Sequence, residues 1–376
     1  MTADTFTASC AQKTPPKSLR VGVVGAGTSG LYLTSLLKRQ GHSVTLFEQS
    51  DQPRAEGCGI MLVSAGMQAL FAGNPKVCDA VVRAGAPAKS FEFRSMKDKV
   101  VNVHIASYED NNELTGMLIH RGAILEALLN HLPQGCLQTH AKLQSVEQTD
   151  EAVTAHFADG RTWQGDVLVG ADGIFSALRE YVNAGVKPNY LGDIVWRGIV
   201  PDDEFCTDGN FKVYIRTQGI YANFFDIGFG QTHWGFFIEK DQQPDEVGKG
   251  RPNDVSMPTQ ELSKLPEVAR RIIQSTPAED IKCRFSYDID TLPTLQNGRI
   301  ILIGDAAHAK SPTRARGMTA GLEDALALSR HLSVAGSSVD QMLTAFQAER
   351  LPIVHEYQRS SREISMKTGR LRKQAA

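Results

Sequence analysis

Three glycines, Gly25, Gly27 and Gly30, stand in G-x-G-x-x-G spacing between a short apolar run, Val21 to Val24, and a stretch in which Leu31, Leu33, Leu36 and Leu37 recur at helical spacing. Gly41 and His42 end that stretch. Ser43 to Phe47 reads as a second strand, and Glu48 follows 18 residues after Gly30. Strand, glycine turn, helix, strand and terminal acid in this order form a dinucleotide-binding fingerprint. Gly25 permits the tight turn, Gly27 lets the backbone approach a pyrophosphate, and Gly30 lets helix and strand pack closely. Ser29 sits inside the turn and counts with them as a cofactor-binding residue. The helix N-terminus offers free N–H groups and a positive dipole end to phosphate, and Glu48 can accept hydrogen bonds from a ribose.

Further along, other residues suit the same ligand. Arg54, ahead of the Gly57-Cys58-Gly59 loop, is read either as a phosphate or ribose partner or as a solvated loop arginine. Arg121 opens a helix over Ala123 to His131, where a cation opposes the dipole, so it serves a ligand or a packing pair. Val167 to Gly170 is a buried strand ending at Asp172. An acid at the carboxyl end of a parallel strand faces the ligand crevice, with a helix N-cap as the alternative. Arg299 to Ile303 repeats the pattern and ends in Gly304-Asp305. A loop with Pro312 follows, and Gly317 then opens a helix whose N-terminus is a second anion-accepting site. Val146, in an alternating segment from Gln144 to Phe157, completes the candidate set.

The chain around these residues is long enough for about two domains. Its 376 residues carry a formal net charge of −2, which implies no nucleic-acid partner. Six cysteines are scattered without C-x-x-C pairs, so neither a zinc pattern nor a disulfide framework is expected, which fits a reducing cytoplasm. No apolar run approaches the ~18 residues of a membrane span. The first 18 residues are polar and read as a mobile tail. The expected fold is α/β: a Rossmann-like dinucleotide-binding domain with an inserted antiparallel β-sheet domain and a C-terminal helical segment. The first domain is assigned 19–89, 104–187 and 294–335, and the helical segment 336–376.

The β-sheet domain is assigned 90–103 and 188–293. Ser90 to Val103 alternates as a hairpin, and the stretch from Pro188 to Pro293 is rich in aromatics, alternation and glycine turns, interrupted by a helix-like segment from Thr259 to Ser275. Alternation leaves about half of its aromatics free to face a ligand. Arg197 lies inside an apolar stretch between Trp196 and Gly198. A buried cation rarely stays unpaired, so it either pairs with an acid such as Asp193 or awaits an anionic group of a ligand. Tyr221 opens a strand of the same sheet, and its hydroxyl can orient or deprotonate a phenol.

GAGTSG near the N-terminus, VLVGADGIFSALR in the middle and ILIGDAAHAKSP near the end together resemble the single-component FAD-dependent aromatic hydroxylases of the p-hydroxybenzoate hydroxylase type. Trp196-Arg197-Gly198 followed by Ile199-Val200-Pro201 looks like the salicylate and urate hydroxylase branch. The resemblance spans Val21 to about Arg350. It implies FAD, with NADPH or NADH as transient co-substrate, and a monooxygenase that hydroxylates a small aromatic substrate with O2 through a flavin C4a-hydroperoxide. It also implies roles. Gly25, Gly27 and Gly30 would hold the pyrophosphate and Glu48 the adenosine ribose. Arg121 would contact the ribityl-phosphate side, and Asp172 would serve both FAD and the nicotinamide. Asp305 would bind ribityl hydroxyls or phosphate. Pro312, Gly317 and Met318 would lie against the isoalloxazine, and Arg197 and Tyr221 would be catalytic.

The chain departs from the family in one loop. Where the family reads Pro-x-x-Gly-Gln-Gly with an asparagine soon after, this chain has Ala315 for a glycine, Arg316 for the glutamine and Thr319 for the asparagine. Ala315 loses easy access to positive φ. Arg316 brings a cation near the flavin or points to solvent. A flavin halogenase would need a Trp-x-Trp-x-Ile-Pro segment, which is absent. An epoxidase, a reductase or a non-catalytic flavin-binding protein shares the same fold.

Overall fold

The computed structural model describes residues 18–53, 57–105, 114–202, 204–215, 220–239 and 256–367. The polar N-terminal stretch before Ser18, and Arg54, lie outside the described residues.

Two large sheets organise the chain. The first has six strands, in the order Gln296–Asn297, Ile300–Leu302, Val167–Gly170, Arg20–Val24, Ser43–Phe47, Leu137–Gln138. All neighbours are parallel except the first pair. Central strands of such a sheet are covered on both faces and so read as continuous apolar runs, and Val21, Val23, Val167, Leu168 and Val169 are all fully buried. The helix Thr28–Arg39 crosses between the first two strands in sequence, burying Leu31, Leu33, Leu36 and Leu37. Lys38 and Arg39 fall in its last turn, where cations suit the dipole.

The second sheet has seven strands: Lys282–Asp288, Asn189–Pro201, Gln231–Glu239, Ile220–Asp226, Asn210–Ile215, Ser90–Arg94, Val100–Ile105. The early hairpin joins this sheet by pairing Ser90–Arg94 parallel to Asn210–Ile215, while the other pairs are antiparallel. Period-2 alternation sorts its aromatics. Trp196, Tyr214, Phe224, Trp234 and Phe236 fill a separate core on one face. The helix-like segment covers that core as two short helices, Thr259–Leu262 and Glu267–Gln274, rather than one. Pro266 stands between them and has no N–H to continue a helix.

Two small three-stranded sheets, Gly59–Leu62 with Met117–His120 and Gly85–Pro87, and Leu143–Gln148 with Val153–Phe157 and Thr162–Gly165, complete the strands. The C-terminal helix Val339–Lys367 spans both halves. Arg350 Nε donates to Asp324 Oδ1 at 2.8 Å in the helix Arg316–Leu332. Arg362 pairs with Asp288 at the end of the seven-stranded sheet.

Candidate active site

The glycine turn is built as its spacing requires. Gly25 has φ +105° and donates to the Phe47 carbonyl at 2.8 Å. A Cβ there would stand 2.4 Å from the Ala171 carbonyl oxygen, and one at Gly30 would stand 2.0 Å from the Gly25 oxygen. At Gly27 a Cβ would meet nothing within 4 Å. Gly25 and Gly30 therefore satisfy packing, whereas Gly27 borders open space. Helix Thr28–Arg39 begins with no side-chain cap, so its first N–H groups are available to an anion. Glu48 braces this turn: its carboxylate accepts from the Ala26 and Ser50 N–H groups at 3.1 and 2.9 Å.

Gly27, Thr28 and Ser29 line one side of a cleft of about 410 Å³ between the two large sheets. Arg121, Asp305, Lys310, Pro312, Gly317 and Met318 line the same side. Asp305 opens the short helix Asp305–His308 directly after the strand Ile300–Leu302 and Gly304, and it is exposed to the cleft. Helix Arg316–Leu332 also lacks a side-chain cap, so the N–H groups near Gly317 and Met318 form a second uncapped N-terminus on the cleft. Arg121 stands exposed at the start of Arg121–Asn130 with no acid partner among the described residues. An open glycine at a helix start, two uncapped helix N-termini and a cation fit a pyrophosphate-bearing cofactor.

The opposite wall comes from the seven-stranded sheet: Arg197, Phe211, Asn223, Phe225, His233 and Phe237. Arg197 is half-buried. No carboxylate among the described residues pairs with it, Asp193 included. His233 is buried and its ring is committed. Its Nδ1 accepts from the Gly59 N–H at 2.9 Å, so the remaining proton sits on Nε2. Burial, with Arg197 and His120 nearby, holds His233 well below the ordinary histidine range, and the Gly198 carbonyl pulls weakly the other way.

Several expected site residues stand elsewhere. Asp172 is spent on its own turn: it accepts from Ser176 Oγ at 2.6 Å and from the Ala177 and Leu178 N–H groups at 2.7 and 3.2 Å. Of the two readings, a crevice-facing acid and a helix cap, the structure comes nearer the second: the N–H groups five and six residues on, just ahead of the short helix Arg179–Val182, claim the carboxylate. Arg179 is buried there too, donating to the Ala306 and Ile174 carbonyls, and so ties this turn to the Asp305 helix. Val146 pairs with Ala155 in the small sheet, donates its N–H to Tyr181 Oη at 3.1 Å, and packs on the main core away from the cleft. Arg316 lies half-buried over the Tyr357 ring at 5.2 Å and does not line the cleft, because the aromatic face attracts the guanidinium. Arg314 is exposed. Tyr221 stands opposite Phe237 in the strand register; its side chain lies outside what is described.

Sequence reasoning missed one group altogether. Lys310 Nζ lies 2.8 Å from His308 Nδ1, and His308 Nε2 lies 2.5 Å from Asp324 Oδ2. Burial is the main cause that lowers the Lys310 ammonium to about 8, against the opposing pull of Asp305 and Asp324. Burial also keeps His308 below its ordinary range, so it stays neutral, while His308 and Arg350 hold the buried Asp324 well below the carboxylate range. The one sequence signal was a lysine following an otherwise apolar strand and helix.

The profile of the FAD binding domain family matches residues 18–361. A 3-amino-4-hydroxybenzoate 2-monooxygenase of Streptomyces cremeus is 28% identical over 355 residues, covering 93% of this chain and 87% of the relative. A salicylate hydroxylase of Pseudomonas putida is 29% identical over 378 residues, covering 92% and 85%. Klebsiella pneumoniae HpxO, solved with FAD and uric acid, superposes with a TM-score of 0.81 at 19% identity, over 93% of this chain and 89% of that one, a likeness of fold.

Proposed function

For a chain that belongs to the FAD binding domain family, and within it to the FAD-dependent aromatic monooxygenases, we propose a reaction that hydroxylates a small aromatic acid at the expense of NAD(P)H and O2. The observation that carries the choice of an acid is Arg197, a guanidinium on the substrate-side wall with no carboxylate among the described residues to neutralise it. A planar guanidinium suits a carboxylate in bidentate geometry. The relatives named for 3-amino-4-hydroxybenzoate, salicylate and 6-hydroxynicotinate all act on acids of this kind.

Bound FAD supplies the redox centre that NAD(P)H reduces and that passes one atom of O2 to the ring. The chain supplies the rest. The N–H groups at Thr28 and beside Gly317 would hold anionic parts of the cofactor, with Arg121 and Asp305 flanking them. Phe225 and Phe237 give the ring an apolar wall and exclude water. His233, whose Nδ1 is taken by the Gly59 N–H and whose ring burial keeps neutral, positions this wall rather than serving as a base. Tyr221, facing Phe237 in the register, is our candidate to orient a phenol hydroxyl. We place the enzyme in the cytoplasm, where NAD(P)H is at hand; Cys58, Cys78, Cys136, Cys206 and Cys283 are buried and form no disulfide.

The test is NAD(P)H oxidation by the yellow holoenzyme against matched aromatic acids and their neutral amides. Acids should stimulate oxidation and amides should not. Arg197→Met should lose the stimulation while retaining FAD. Equal stimulation by acids and amides in both proteins would remove Arg197 from substrate recognition.

A further inference from the structure

Two residues of the cleft wall, Arg197 and Asn223, stand in one cross-strand row with Gly235 between them. Gly235 is directly opposite Arg197 on one side and directly opposite Asn223 on the other. Directly opposed residues in an antiparallel sheet point to the same face, and both Arg197 and Asn223 line the cleft. Strands lie about 4.8 Å apart, so the two side chains rise roughly 10 Å apart with bare backbone between them. His233 and Phe237, two residues either side of Gly235, wall the notch along the strand. The Asn223 amide and the Phe237 ring fill the space over Gly235: a Cβ there would stand 2.6 Å from Asn223 Oδ1 and 3.1 Å from Phe237 Cε2.

Asn223 is the unexplained member. Its Oδ1 is buried and has no hydrogen-bond partner among the described residues. A buried amide oxygen is ordinarily satisfied, so an acceptor left open on a ligand cleft points to a donor that arrives with the ligand. Arg197 at the other end of the row is open in the complementary sense, a donor fork awaiting an anion. His233 cannot fill either role.

We infer that Asn223 forms a second polar subsite for the substrate: Gly235, bare of a side chain, makes room for the Asn223 amide, Arg197 takes the carboxylate of an aromatic ring, and Asn223 Oδ1 accepts from a hydroxyl or amino substituent on that ring. The inference rests on the aromatic-acid reading above and narrows it to acids that carry a hydrogen-bond donor. Asn223 and Gly235 then determine which acid is chosen, while Arg197 determines that an acid is chosen at all.

The test uses the FAD-loaded enzyme and reads ligand binding from the perturbation of the flavin absorption spectrum, without turnover. The probes are benzoate, salicylate, 3-hydroxybenzoate and 4-hydroxybenzoate. The wild type should bind its preferred hydroxybenzoate about tenfold or more tighter than benzoate, as expected for one buried hydrogen bond. Asn223→Ala should bring that ratio close to one and leave benzoate affinity nearly unchanged. Gly235→Ala, whose methyl would meet the Asn223 amide, should lower the hydroxybenzoate-to-benzoate ratio as Asn223→Ala does, while FAD stays bound. A hydroxybenzoate-to-benzoate ratio that is the same in wild type and Asn223→Ala overturns the subsite and leaves the aromatic-acid reading standing. If no acid, benzoate included, perturbs the flavin of the wild type, both fall.

Discussion

Lys310 Nζ donates to His308 Nδ1 at 2.8 Å, and that bond decides the tautomer of a fully buried imidazole whose other nitrogen faces Asp324. The carboxylate of Asp324 is meanwhile held by Arg350 and by the Gly304 N–H at 2.9 Å. Lys310 therefore places a cation at the cleft with a neutral histidine as its bonded partner, and Asp305 and Asp324 favour its charged form.

Such a cation costs stability in the absence of ligand. Lys310 titrates at about 8 in the folded chain against 10.5 for an ordinary lysine. The unfolded chain thus binds more protons than the folded one between those values, and stability rises with pH across that window. The penalty is complete below about pH 8 and gone above about pH 10.5. Lys310→Met should stabilise the FAD-free protein at pH 7 by roughly 3 kcal/mol at most, with the advantage shrinking as pH climbs toward 10.5. Thermal unfolding of both proteins across that range checks it. A difference that is constant with pH would mean that Lys310 is not an unfavourably buried cation.

The glycines of the first turn should separate folding from cofactor retention. Gly30→Ala places a methyl against the Gly25 carbonyl and should destabilise the chain by roughly 1–3 kcal/mol or more, as overpacking does. A Cβ at Gly27 meets nothing within 4 Å, so Gly27→Val should leave the unfolding temperature of the FAD-free chain nearly unchanged while abolishing FAD binding. Flavin absorbance per protein, set beside thermal unfolding of the FAD-free form, measures both. A Gly27→Val protein that is fully yellow would show that the phosphates do not approach there.

Ala315 keeps the backbone of the glycine that its family relatives are expected to carry: φ is 51° and ψ 26°, at the N-cap of Arg316–Leu332. A left-handed alanine costs roughly 1–2 kcal/mol, partly offset by the greater chain entropy a glycine loses on folding. Ala315→Gly should raise stability by about 1 kcal/mol, seen as a higher midpoint in urea, with FAD occupancy unchanged. A lower midpoint would mean that the methyl contributes packing worth more than the strain.

How much of this was legible depended on how local the cause was. Gly25 is readable because its task, a positive φ in the turn from a strand to a helix, is set by its near neighbours. Asp305 is readable for the same reason. Asp172 looked equivalent, but its carboxylate is captured by N–H groups within six residues, a local competition that the strand-end position does not reveal. The Lys310–His308–Asp324 chain needs a tertiary contact between two helices across 16 residues of sequence. The Arg197–Gly235–Asn223 row needs the register of three strands, set by turns and by which face the aromatics bury. The sorting of Phe225 and Phe237 to the cleft, and of Phe224 and Phe236 to the core, followed from alternation once the sheet was known.

The central claim is that this cleft inserts one atom of dioxygen into an aromatic acid. The most direct measurement is turnover of the best-bound hydroxybenzoate with NAD(P)H under heavy-isotope dioxygen, with the product weighed by mass spectrometry. The account predicts a ring-hydroxylated product that carries one heavy oxygen atom from O2 and none when the label is placed in water. NAD(P)H consumption that yields only hydrogen peroxide with every aromatic acid tested, or a product whose new oxygen comes from water, would contradict it.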